Sequence, residues 1–102
     1  METITFDNEK ATAVEIAVSK VFECRRSEIV SLKDTLVKKV VVFILFKTEN
    51  YNSHVLAANY QISYLYVPTI VNELEYMFNM DPFFNAKIMI VLRLVGCVDL
   101  NR

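Results

Sequence analysis

The groups in this chain with chemistry to offer are its cations and a few hydrogen-bonding side chains. Arg25, Arg26, Lys33, Lys38 and Lys39 lie in the first half, and such side chains supply DNA affinity by neutralising phosphates. Ser63, Thr69 and Asn72 come later and are of types that hydrogen-bond to bases, while Tyr64 can reach a phosphate. Together they form a candidate contact set for duplex DNA. Glu73 and Glu75 on the same stretch would repel the DNA backbone. The formal net charge is -1, and no Lys or Arg occurs between Lys47 and Lys87, whereas dedicated nucleic-acid binders carry a basic excess. The first half also holds eight acidic residues, so its lysines equally fit an ordinary solvated face.

A second set is apolar. Tyr64, Leu65 and Tyr66 are consecutive in a predicted turn, where polar residues are usual. Tyr51, Tyr76, Met77, Met80 and Phe83 extend the surplus. Aromatic residues and Met are enriched at protein interfaces, and clusters of exposed ones mark partner sites. The same residues could instead fill a small core beneath the loops.

Catalysis is not expected. The single histidine, His54, falls in a first helical turn and reads as a surface residue. There is no Gly-rich phosphate loop. Glu73 and Glu75 are two apart and do not share a helix face. Cys24 and Cys97 are isolated, without metal-ligand spacing. They read as two free thiols in a reducing compartment, with a disulfide between them also open. No metal and no cofactor is expected.

The elements that must position these residues are helical. One Gly and two Pro in 102 residues are too few for a turn-rich β domain, and the length suits a single domain spanning 1–102. Asp7 or Asn8 can cap a first helix, about 7–22, with Val14, Ala17, Val18, Val21 and Phe22 on one face and Glu15 away from it. Ser27 to Val30 could make one short helical turn. The segment 33–47 is apolar all round over 40–46, and periodicity alone does not separate helix from buried strand there. Its length, with Asp34 near the start and Lys47 at the end, favours a central helix. Ser53 can cap a helix over 53–60. Val67, Ile70, Val71, Leu74 and Phe78 follow helical spacing over 67–79, with Pro68 in the first turn. Asp81 caps and Pro82 opens a last helix, 82–95, that Gly96 can end. The expectation is an all-α domain of about five helices.

The stretch 55–74, VLAANYQISYLYVPTIVNEL, has helix-turn-helix spacing. Ala57 suits the close crossing, Leu56, Tyr60, Val67 and Ile70 face inward, and Ile62 plugs the turn. Gln61 stands where Gly often relieves such a turn. Two ordinary core helices would share this pattern.

The wider layout resembles the C-terminal DNA-binding domain of the bacterial replication initiator DnaA family, a Trp-repressor-like helical fold. Val18-Ser19-Lys20-Val21-Phe22 looks like that family's first-helix ending. Ser27-Glu28-Ile29-Val30-Ser31 is similar to the acidic–apolar–apolar–Ser segment that follows it. Lys38-Lys39 leading into the apolar run resembles its central helix, 53–60 and 67–78 its helix-turn-helix, and Asp81-Pro82-Phe83-Phe84 the start of its last helix. The resemblance implies DNA association, with Lys38, Lys39 and Thr69 at positions where contact is plausible. The family's turn is rich in Gly, Arg, Asp and His; here it reads Ser63-Tyr64-Leu65-Tyr66-Val67 and lacks all four. The turn is therefore degenerate.

The expectation is a small helix-turn-helix protein associated with duplex DNA. The alternative is a non-catalytic interaction module that has lost DNA binding and pairs, with itself or another protein, through Tyr64, Leu65 and Tyr66. The N-terminus has no basic region leading into an apolar run, and the longest apolar run is far too short to cross a bilayer. A soluble cytoplasmic protein without a membrane partner is expected.

Overall fold

The computed structural model describes residues 6–31 and 35–96, and those residues are all-helical, without strands. Six α-helices run in the order α1 (Asn8–Val21), α2 (Arg26–Val30), α3 (Leu36–Glu49), α4 (Ser53–Tyr60), α5 (Val67–Met80) and α6 (Pro82–Leu94). A single 3-10 turn, Tyr64–Tyr66, joins α4 to α5. The sixth helix is α2, which the sequence suggests only as a turn. The expected positions Lys33, Asp34, Cys97 and the tail beyond it lie outside the described residues.

α3 is the spine. Residues Val40, Val41, Val42, Phe43, Ile44 and Leu45 are all fully buried, because α1, α2, α4 and α5 all pack on this helix. A helix that is apolar around its whole girth has no solvent face to offer, which is why periodicity is silent here. At ~1.5–3 kcal/mol for each buried large aliphatic or aromatic side chain, this helix makes the largest contribution of any single element to the core. α1, α5 and α6 each bury one apolar stripe. Val14, Ala17 and Val18 of α1, Ile70, Val71 and Leu74 of α5, and Phe84, Ile88, Val91 and Leu92 of α6 are buried.

The helix ends are specified by side chains. Asp7 accepts from the backbone N–H groups of Glu9 and Lys10, and Thr35 from Lys38. Asp81 accepts from Phe83 and Phe84. The cap of α4 is Asn52, whose side chain accepts from the Val55 N–H, and Ser53 is the first helical residue. Sequence spacing alone placed the cap one residue late. Three non-Gly residues leave helices in the left-handed region: Glu23 at φ 53°, Asn50 at φ 58° and Gln61 at φ 56°. Gly96 does the same after α6 at φ 79°, a conformation a glycine adopts freely.

Candidate functional site

The α4–turn–α5 unit is built from the inside out. Leu56, Ala57 and Tyr60 of α4 and Val67 and Ile70 of α5 are buried, and Ile62 packs against the core from the turn. Gln61 enters the left-handed conformation without the help of glycine. The Ile62 N–H then donates to the Ala57 carbonyl at 3.2 Å, closing the end of α4 as a left-handed helix terminus does. The Gln61 Nε2 donates to the Val30 carbonyl at 3.0 Å, so its side chain ties the strained turn to the end of α2. Ser63 then caps the 3-10 turn by accepting from the Leu65 N–H.

This scaffold leaves the outer positions in solvent. Ser63, Tyr64, Leu65, Pro68, Thr69 and Asn72 are all exposed. Leu65 stands at 71% of its full accessibility. The Tyr64 ring stacks on His54, with centroids 4.1 Å apart and planes 25° off parallel. His54 is thus a surface ring that supports the turn. Tyr66 is only half-buried; it sits beside the Lys39 ammonium, 5.7 Å from its ring centroid, and belongs to the base of the patch.

The cations read as DNA contacts fare differently. Lys38 is fully buried, and its Nζ donates to the Ser31 carbonyl. It is a correction to the candidate set, since an ammonium beneath the surface cannot meet a phosphate. The reason is its place in a stripe with Val41, Val42 and Leu45, all at core positions. Lys39 reaches the surface but pairs with Glu73 at 3.3 Å. Lys47 pairs likewise with Glu75 at 2.9 Å. The two glutamates of α5 therefore both reach α3, and each neutralises a lysine there.

Arg26 is also engaged. Its Nη2 donates to Glu15 Oε1 at 2.8 Å, and the Tyr60 hydroxyl donates to Glu15 Oε2 at 2.6 Å. Glu15 is buried, contrary to its expected outward position, because α2 packs on that flank of α1 and the Tyr60 side chain reaches it from α4. Its burial was legible after all. Ala11, Val14, Glu15 and Val18 form an i, i+3, i+4, i+7 set, with Glu15 inside it. The Tyr60 hydroxyl is pushed well above the usual tyrosine range, first by burial and then by the Glu15 carboxylate it donates to. Arg25 is exposed, and its backbone N–H donates to Glu28 Oε2 at 3.1 Å. Tyr51, one of the aromatics that could belong to an interface or to a small core, is buried, and its hydroxyl accepts from the Asp7 N–H at 2.9 Å.

Cys24 is half-buried, and burial, followed by the nearby Glu28 charge, pushes its thiol above the usual range. That is the wrong direction for a nucleophile. The described residues contain no group of three or more His, Cys, Asp or Glu placed to hold a metal ion. No helix among them is long and apolar enough to cross a membrane.

Comparison with family models, curated proteins and solved structures finds no match to this chain. The likeness to the initiator domain rests on the residue pattern alone.

Proposed function

We propose that this chain is a non-catalytic protein-interaction module of helix-turn-helix shape, which pairs with a second copy of itself through the turn at Tyr64 and Leu65. The observation that carries this reading is the exposure of Leu65, 71% accessible beside the His54–Tyr64 stack. A large apolar side chain held out on an ordered turn costs solubility unless something covers it. The Lys39–Glu73 ion pair, joined to the turn where Lys39 stands over the Tyr66 ring, cancels charge next to the patch. Two such faces can then meet about a two-fold axis without like-charge repulsion.

Sedimentation velocity over a range of concentrations tests it. Wild type is expected to shift from monomer to dimer, and Leu65→Asp to remain a monomer with unchanged helicity. A wild-type chain that stays monomeric throughout rejects the reading.

One observation favours a second reading, association with duplex DNA. Ser63, Tyr64, Thr69 and Asn72 are exposed together around the start of α5, the part of a recognition helix that meets base edges. Positive charge would come from Arg25, from Lys39 once released by Glu73, and from Arg26 only at the cost of its Glu15 pair. Gel retardation at low salt tests this. Binding that weakens in Lys39→Glu and in Asn72→Ala supports it, and no retardation of any duplex rejects it.

A further inference from the structure

We propose that the solvent face of α6, with the neighbouring edge of α1, is a second docking surface, and that it takes an acidic amphipathic helix of a partner protein. α6 buries Phe84, Ile88, Val91 and Leu92, yet its other side is also apolar. Phe83, Ile90 and Leu94 are 81%, 48% and 57% accessible. With Lys87 they stand at positions 83, 87, 90 and 94. That 4-3-4 spacing is the seam of a helix that packs on another helix. Beside the seam, Leu94 lines a shallow cleft with Ala13, Ile16, Ala17 and Lys20 of α1. Ile16 is itself exposed. The apolar strip therefore spans two helices and forms a trough rather than a ridge.

Charge identifies the occupant. α6 contains no acidic residue; its charged side chains are Lys87 and Arg93. Lys20 joins them from across the cleft. Elsewhere Lys10, Arg26, Lys39 and Lys47 each pair with a carboxylate. Lys20, Lys87 and Arg93 have no ion pair among the described residues, and Lys87 instead stands over the Phe22 ring at 5.1 Å. An apolar trough rimmed by three uncompensated cations is complementary to a helix with an apolar stripe and flanking carboxylates. A second copy is the wrong occupant. Antiparallel seams centred on Ile90 would set Lys87 of one chain against Arg93 of the other, and like charges across an interface are costly.

The test uses a synthetic two-heptad peptide with leucine at a and d and glutamate at e and g, and its counterpart with lysine at e and g. Titrations followed by fluorescence anisotropy and by amide chemical shifts are run on wild type and on Leu65→Asp, so that they do not depend on the turn. The glutamate peptide is expected to bind saturably and shift Ile16, Lys87, Ile90 and Leu94. The exposed-site change Ile90→Asp is expected to weaken it by at least about tenfold. Lys87→Glu with Arg93→Glu is expected to exchange the preference to the lysine peptide. The proposal is overturned if the glutamate peptide does not bind, if both peptides bind alike, or if the charge reversal leaves the preference unmoved. It is also overturned if phosphatidylserine-containing vesicles bind the chain and the peptide does not, which would make the face a lipid contact. Dimerisation of Leu65→Asp abolished by Ile90→Asp would mean a second copy covers the face, and would overturn it too.

Discussion

Removing the Tyr60 hydroxyl is the sharpest probe of how this fold disposes of its charges. Tyr60→Phe deletes the 2.6 Å hydrogen bond to Glu15 and keeps the ring in its buried slot. A hydrogen bond to a charged group contributes ~1.5–3 kcal/mol, and a buried carboxylate that loses a donor incurs a desolvation penalty. The Arg26 guanidinium stays on Glu15 Oε1 at 2.8 Å and offsets part of that loss. A cost of about 2 kcal/mol follows. Arg26→Gln should cost less, about 1 kcal/mol or below, because 48% of the arginine side chain is exposed and solvent screens its pair. The assay is urea unfolding of both variants, with an m-value of order 1 kcal/mol/M. The midpoint of Tyr60→Phe should then fall by about 1–2 M, clearly more than that of Arg26→Gln. The same contact gives a pH signature. Burial and Glu15 raise the folded-state pKa of Tyr60 above its unfolded value. Its contribution is therefore complete below about pH 10 and lost as pH rises above that. Tyr60→Phe should lose this part of the alkaline slope. Equal costs for the two variants, or an unchanged alkaline slope in Tyr60→Phe, would refute the account of Glu15 as a buried, two-donor carboxylate.

Other variants test the frame around the patch. Phe43→Ala opens the centre of the spine and should destabilise by about 3–5 kcal/mol, read by calorimetry. Asp81→Ala removes the acceptor for the Phe83 and Phe84 N–H groups at 2.9 and 3.2 Å; a loss of ~1 kcal/mol should lower Tm by about 5 °C. Glu23→Gly relieves a left-handed residue at φ 53° and should stabilise by about 1 kcal/mol. Gln61→Gly relieves the same conformation but forfeits the bond to Val30, so its unfolding free energy should change by less than about 0.5 kcal/mol.

The helical architecture was largely legible because apolar spacing and capping residues agree along most of the chain. Asp7, Asp81 and Gly96 act at the ends where their types suggest, and Leu56, Ala57, Tyr60, Val67 and Ile70 face inward as their offsets require. α2 was harder to read because five residues carry little periodicity. Its helical state depends on Ile29, buried against α3 and α1, a contact between segments and not a local preference. Tyr51 was left open between surface and core for the same reason: it follows α3 in a polar break, yet Phe6 and Asp7 fold back over it.

The candidate site was less legible, because a count of cations says nothing about which of them folding consumes. Lys38 enters the core, and Arg26, Lys39 and Lys47 find carboxylates on other elements. Each of those partners lies at least eleven positions away in sequence, beyond the reach of any local pattern. Two buried charges did carry a local mark. Glu15 and Lys38 each occupy one place in an i, i+3, i+4, i+7 stripe of core residues, and a lone charge in such a stripe either leaves the core or finds partners inside it. The converse mark is the seam of α6, where apolar residues continue on the side away from the core. A helix that buries one stripe needs only polar residues opposite; Phe83, Ile90 and Leu94 there leave 81%, 48% and 57% of their surface in solvent. The proposed contact would cover them, and Lys20, Lys87 and Arg93 around them, without an ion pair among the described residues, make an acidic surface its complementary half.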